Sequence, residues 1–199
     1  MANVFVDELN GYFLGRLKDS IYVFDADGVQ VPVPVSYHVP EGEGTEDFKD
    51  TRITFFFYAM MLDTSRQVQY EPIIVSKDPV TNVVITKEQP IPYKLYYQFD
   101  IWSEWNEDIM IILPQFQKLL PPRGDIAVPC ADGDIHHLFM ELEDMKQVDS
   151  RLWEDASKHT DQRFFRSRFR YCVYTELDLD AVKEFKMVRS VEVDAQQNG

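Results

Sequence analysis

Cysteine is nearly missing from the 199 residues: Cys130 and Cys172 stand alone. Neither belongs to a Cys-x-x-Cys pair and neither has histidines at zinc spacing, which excludes a disulfide framework and a zinc finger. Glycine is sparse, at 8 residues, and no low-complexity tract occurs, so the chain does not read as disordered. No run approaches ~18 uninterrupted apolar residues, which argues against a membrane-spanning helix. The first residues, Met1 to Glu8, lack the basic segment and apolar stretch of a signal peptide, and none is expected. Basic residues are also in short supply. Twenty Lys and Arg face 34 Asp and Glu, for a net charge of −14 and a pI near 4.6. Such a chain repels phosphate backbones and anionic membrane surfaces, so non-specific nucleic-acid or membrane binding is disfavoured. The glycine-rich nucleotide loops, HExxH, GxSxG and EF-hand patterns are all absent. The expectation is a non-enzymatic protein with no cofactor and no metal.

What is present is a length suited to one domain, residues 1–199, able to bury a core without covalent staples. Aromatics make up 14% of the residues and gather in strand-like runs. The fold class predicted is α+β, a mostly antiparallel β-sheet body with an N-terminal helix and a strand–helix–strand unit packed on the sheet. Phe5, Leu9, Tyr12, Phe13 and Leu17 form one apolar stripe at helical spacing. Ile21–Phe24 and Val29–Val35 flank the turn Asp25-Ala26-Asp27-Gly28 as a hairpin. Residues 40–50, with five acids and two glycines, read as a mobile loop. Residues 53–61 are almost continuously apolar and predict a strand buried on both faces. A hairpin spanning 72–88 has a polar tip and is expected to project. Later strands are expected at 135–142, 164–179 and 185–193, with a frayed tail at 195–199.

The most informative stretch is Tyr93-Lys94-Leu95-Tyr96-Tyr97-Gln98-Phe99-Asp100-Ile101-Trp102, a long strand with partial alternation. Ser103 stands where a helix N-cap belongs, and Glu104, Glu107 and Asp108 follow where the helix dipole favours acids. Ile109, Ile112, Leu113, Phe116, Leu119 and Leu120 repeat at helical spacing. Pro114 should kink this helix and Pro121-Pro122 should end it. Asp125–Val128 returns as a strand.

Few residues stand out as candidate sites. His136 and His137 are adjacent on a predicted strand and so point to opposite faces, with Glu141 about 13 Å from His137 along the chain, too far to share one ion. The acid pair Asp178 and Asp180 is what chance produces among 34 acids. Arg166, Arg168 and Arg170 alternate with Phe165, Phe169 and Tyr171, so a strand places the arginines on one face and the aromatics on the other. Three guanidinium groups on one face require counter-charges. A protein partner's carboxylates are the expected counter-charges, with acids of the same subunit or phosphate as the alternatives. Trp102 and Trp105 flank the helix start, either as its core cap or as anchors for a partner.

The run from Pro92 through Ser103 into Ile109–Phe116 resembles the tail terminator and tail completion proteins of tailed bacteriophages. In these a Pro-x-Tyr-x-Leu-x-Tyr strand ending in Trp leads into an acidic helix start and an Ile-Leu-x-x-x-Phe helix. The resemblance covers about residues 3–20 and 53–130. It implies a virion protein at the tail–neck junction, assembled in the host cytoplasm. It implies a self-assembled, hexameric ring that ends growth of the tube, and of the sheath in contractile tails, and joins the tail to neck proteins while DNA passes through. Another neck, head-closure or baseplate ring subunit is the nearest alternative. A small β-rich ligand-binding or enzymatic domain is the alternative of a different class.

Overall fold

The computed structural model describes residues 2–37, 51–66, 73–77, 83–87, 90–130, 133, 135–149, 165–177 and 182–186. The predicted loop at 40–50, the turn at 78–82, the Asp178/Asp180 pair and the tail at 195–199 lie outside the described residues. The chain divides into two compact units, one formed by residues 1–61 and 93–175 and the other by residues 62–92 and 176–199.

The larger unit is an α+β body. Its N-terminal helix α1 (Ala2–Leu17) buries Leu9, Phe13 and Leu17 completely, as the stripe predicts. A short hairpin follows, β1 (Tyr22–Phe24) and β2 (Gln30–Pro32), paired antiparallel. Its turn is held by the Asp25 carboxylate, which accepts from the amides of Asp27 at 3.0 Å and Val29 at 2.8 Å. Gly28 takes the positive φ of 76° that this turn needs. Then β3 (Val35–Tyr37) departs from the predicted hairpin and pairs in parallel with β4 (Arg52–Leu62).

The main sheet is completed by β7 (Ile91–Ser103), β8 (Arg123–Pro129), β9 (Ile135–Asp149) and β10 (Phe165–Leu177), in the six-strand order β3-β4-β7-β10-β9-β8. The helix α2 (Asn106–Leu119) joins β7 to β8. The predicted strand–helix–strand unit is therefore present, but its two strands are not neighbours, because β10 and β9 lie between them. The strand expected at 135–142 runs further, as β9 continues to Asp149 and pairs with β10 from Phe165 onward. A bulge between Arg170 and Tyr171 shifts the register, so that Arg170 faces Asp144 while Tyr171 faces Leu142.

One face of this sheet carries the core. Phe99 of β7 touches Phe13 of α1, Phe55 of β4, Phe116 of α2 and Tyr171 of β10, with ring centroids 5.2, 5.3, 5.7 and 5.7 Å away. The Phe55 contact is stacked, with 17° between planes, and the others are edge-on, as ring quadrupoles prefer. Ile109, Ile112, Phe116 and Leu120 bury the apolar stripe of α2 against this cluster. Gln115 ties the helix to the first hairpin, accepting from the Tyr22 amide at 3.1 Å and donating to its carbonyl at 2.9 Å.

Two local expectations are corrected. Ser103 is not the N-cap, because β7 continues through it and Trp105 occupies the cap position without a side-chain cap bond. The Ser103 hydroxyl instead accepts from the Trp105 amide at 3.1 Å and donates to Asp108 at 3.0 Å. Thr51 donates to the same carboxylate at 2.8 Å. Nor is β4 buried on both faces along its length: Ile53, Phe55 and Phe56 are buried, whereas Tyr58, Met60 and Met61 are exposed.

The smaller unit contains β5 (Ile73–Lys77), β6 (Val83–Lys87) and β11 (Val182–Lys186), in the order β11-β6-β5. The 72–88 pair is thus joined by a third antiparallel strand on β6. That strand begins three residues before the predicted 185–193 segment. Within this unit Asp63 accepts from the Ser65 amide and hydroxyl at 3.2 and 2.6 Å and pairs with Arg66 at 3.0 Å.

Candidate functional site

Strand alternation puts Leu95, Tyr97, Phe99 and Ile101 of β7 into the core and sends Gln98, Asp100 and Trp102 to the opposite face of the sheet. β10 is the neighbouring strand, and its even-numbered residues Arg166, Arg168 and Arg170 come to the same face. The sequence expectation of a shared arginine face holds, and Phe169 and Tyr171 are wholly buried on the other side.

The three arginines differ in their surroundings. Arg166 forms a fork on Asp100, with Nε donating to Oδ1 at 2.8 Å and Nη2 to Oδ2 at 2.7 Å. Its guanidinium lies 4.4 Å from the ring centroid of Trp102. Asp100 is 2% exposed and also accepts from Gln98 Nε2 at 2.8 Å. For Arg166 the expected partner carboxylate is corrected to an internal one, because Asp100 on the adjacent strand takes its fork and both side chains are buried. Arg170 lies further along, its Nε donating to Gln98 Oε1 at 3.4 Å and its guanidinium 5.9 Å from the Tyr58 ring. Arg168 lies between them. Its Nε is 3.6 Å from Asp100 Oδ1, and burial first, then the charge of Arg166, pushes its pKa down.

Beyond Arg170 the same face holds Cys172, Tyr174, Glu141 and Glu143. The Tyr174 hydroxyl donates to Glu141 in a short bond, and Lys94 Nζ sits 5.2 Å from the Tyr174 ring centroid. Burial raises the Glu143 carboxyl, opposed by Lys94 and reinforced by Glu141. The Cys172 thiol is pushed up to about 11, chiefly by burial, which suits a thiol that does no chemistry at neutral pH. Cys130 and Cys172 are both free thiols.

The tryptophans separate. Trp102 is half-buried, donates from Nε1 to Thr54 at 3.2 Å and underlies Arg166, so it is part of the fold. Trp105 does not cap the core, since it is 65% exposed, and Met110 on the helix that follows is 59% exposed. His136 and His137 are exposed and lie opposite Val128 and Ala127 across β8 and β9. Among the described residues no three His, Cys, Asp or Glu side chains gather as a metal site would require.

No family model matches the chain, and no curated protein matches it. A solved structure is similar in outline. It is a cryo-electron microscopy structure of an extracellular contractile injection system, described as the PVC sheath/tube terminator in its extended state. The TM-score is 0.48 and the identity 13%, over 98% of this chain and 64% of that one. This chain therefore spans less than two thirds of that protein's length.

The Asp100–Arg166 pair was the part of the site that sequence reasoning missed. A signal was available: Gln98 and Asp100 are polar residues at alternate positions in the apolar middle of the strand, matching the alternation of Arg166, Arg168 and Arg170. A buried acid in a sheet demands a cation.

Proposed function

We propose that this chain is a structural subunit of a phage-type tail, one that assembles with copies of itself into a ring, hexameric in the family it resembles, at the head-proximal end of a tube. The observation that carries the reading is the bare end of β4. Met60 and Met61 point to opposite faces of one strand, yet they are 45% and 57% exposed, and Tyr58 beside them is 42% exposed. Large apolar side chains left open on both faces of a strand mark a surface that another protein covers. The resemblance carried by Pro92–Phe116 supports reading that surface as part of a tail-end assembly.

In this reading the chain performs no catalysis. It ends tube growth, contacts the tube, the sheath where there is one, and a neck protein, and its acidity lets DNA pass without adhering. Purified protein is expected to form rings, visible by negative-stain electron microscopy and sized by analytical ultracentrifugation. Met60→Glu with Met61→Glu is expected to leave folded monomers that no longer limit tube length. A wild-type protein that stays monomeric with and without tube subunits overturns the reading.

A further inference from the structure

The cations on the outer face of β9 and β10 are unequally matched. Arg166 uses both oxygens of Asp100, and Gln98 Nε2 donates a third hydrogen bond to the same carboxylate. Arg170 has the Gln98 carbonyl oxygen and faces Asp144 across the strands. Lys146 lies 3.9 Å from Asp144. Arg168 has only what Asp100 has left over, a 3.6 Å approach that is too long for a hydrogen bond. Its Nε is buried and makes no hydrogen bond among the described residues. Its direct neighbour across β9 is Lys146, a like charge, which a sheet pairing disfavours. Arg166 and Arg170 flank it along its own strand. A partly desolvated guanidinium among three cations, 25% open to solvent, is a fork awaiting an anion.

We propose that Arg168 is the anchor for a carboxylate side chain of a second copy of this chain, with Lys146 beside it. This rests on the self-assembly reading above. The choice of occupant follows from charge. With 34 acids against 20 bases, any approaching copy presents carboxylates, and a guanidinium takes a carboxylate in two parallel bonds. Arg168 is suited to this and Arg166 is not, because Arg166 is only 10% exposed, lies on Trp102 and is committed to Asp100.

The test uses the full chain and Arg168→Gln, followed by analytical ultracentrifugation across salt and by thermal melting. Association is expected to weaken about tenfold or more with a flatter salt dependence. The melting temperature is expected to stay the same or rise, since a like-charge contact is removed. Arg168→Lys, which keeps the charge and loses the fork, is expected to fall between the two. Unchanged association at every salt concentration overturns the inference and leaves self-assembly standing. A lower melting temperature also overturns it, because the guanidinium is then part of the fold. Wild-type protein that never associates overturns the self-assembly reading and the inference with it. Binding of a duplex oligonucleotide that Arg168→Gln abolishes, with association intact, replaces the carboxylate by phosphate and overturns the proposal.

Discussion

Arg166 reaches Asp100 across two adjacent strands and holds both carboxylate oxygens, at 2.8 and 2.7 Å, with the acid 2% exposed. Breaking such a pair from one side strands a charge in a poorly solvated place. Arg166→Met is therefore expected to destabilise the subunit by about 3 to 5 kcal/mol. The double variant Arg166→Met with Asp100→Leu should recover most of that loss, because it removes both members of the buried pair. Urea denaturation of the wild type, the single variants Arg166→Met and Asp100→Leu, and the double variant checks this, and additive losses would contradict the pairing.

Phe99 joins five elements through four aromatic contacts. Phe99→Ala is expected to cost about 3 to 5 kcal/mol, combining lost burial with a cavity that rigid neighbours cannot close. Phe99→Leu should cost less than half as much. A midpoint shift at constant denaturant slope is the expected signature.

Trp105 and Trp102 are expected to behave oppositely. Trp105→Ala removes a side chain that is 65% exposed, so stability should change by no more than about 0.5 kcal/mol. Its association is expected to weaken by about 2 kcal/mol, as for an aromatic anchor at an interface. Trp102→Ala should lower the melting temperature, because it uncovers Arg166 and leaves Thr54 without its donor. Equal effects of both variants on melting would refute the distinction.

The Cys172 thiol supplies a pH test. Burial raises its folded-state pKa to about 11, above the ordinary thiol value. Between those two values the unfolded chain has released the proton and the folded chain still holds it. Unfolding is then favoured as pH rises through that window, and the contribution is absent below it. Cys172→Ala is expected to flatten the alkaline fall in stability. In native protein at pH 7.5, a value chosen as about neutral, a thiol reagent should modify the partly exposed Cys130 and spare Cys172 until the chain unfolds.

Much of the architecture was legible along the chain. The stripes of α1 and α2, the strand from Tyr93 to Trp102 and the alternation of arginines with aromatics at 165–171 are local periodicities, and an element's own side chains dictate which face it must bury. The same logic misplaced the cap of α2, since an N-cap is chosen by where the preceding strand stops, and β7 stops at Ser103. It also overstated the burial of β4, because burial depends on what packs on each face: Phe13 of α1 lies against Phe55, whereas Tyr58, Met60 and Met61 stay exposed.

By itself the sequence determined the α+β class, the acidity, the lack of metal or nucleophile motifs and the sidedness of the arginine strand, because each is a property of composition or of residues a few positions apart. The tertiary structure decided that β10 and β9 would separate β7 from β8, and that Asp100 would meet an arginine 66 residues away. It also decided that Arg166 would be satisfied and Arg168 would not. On an isolated strand these two arginines are equivalent, and a single carboxylate on the neighbouring strand makes them different, because it has two oxygens and one guanidinium takes both.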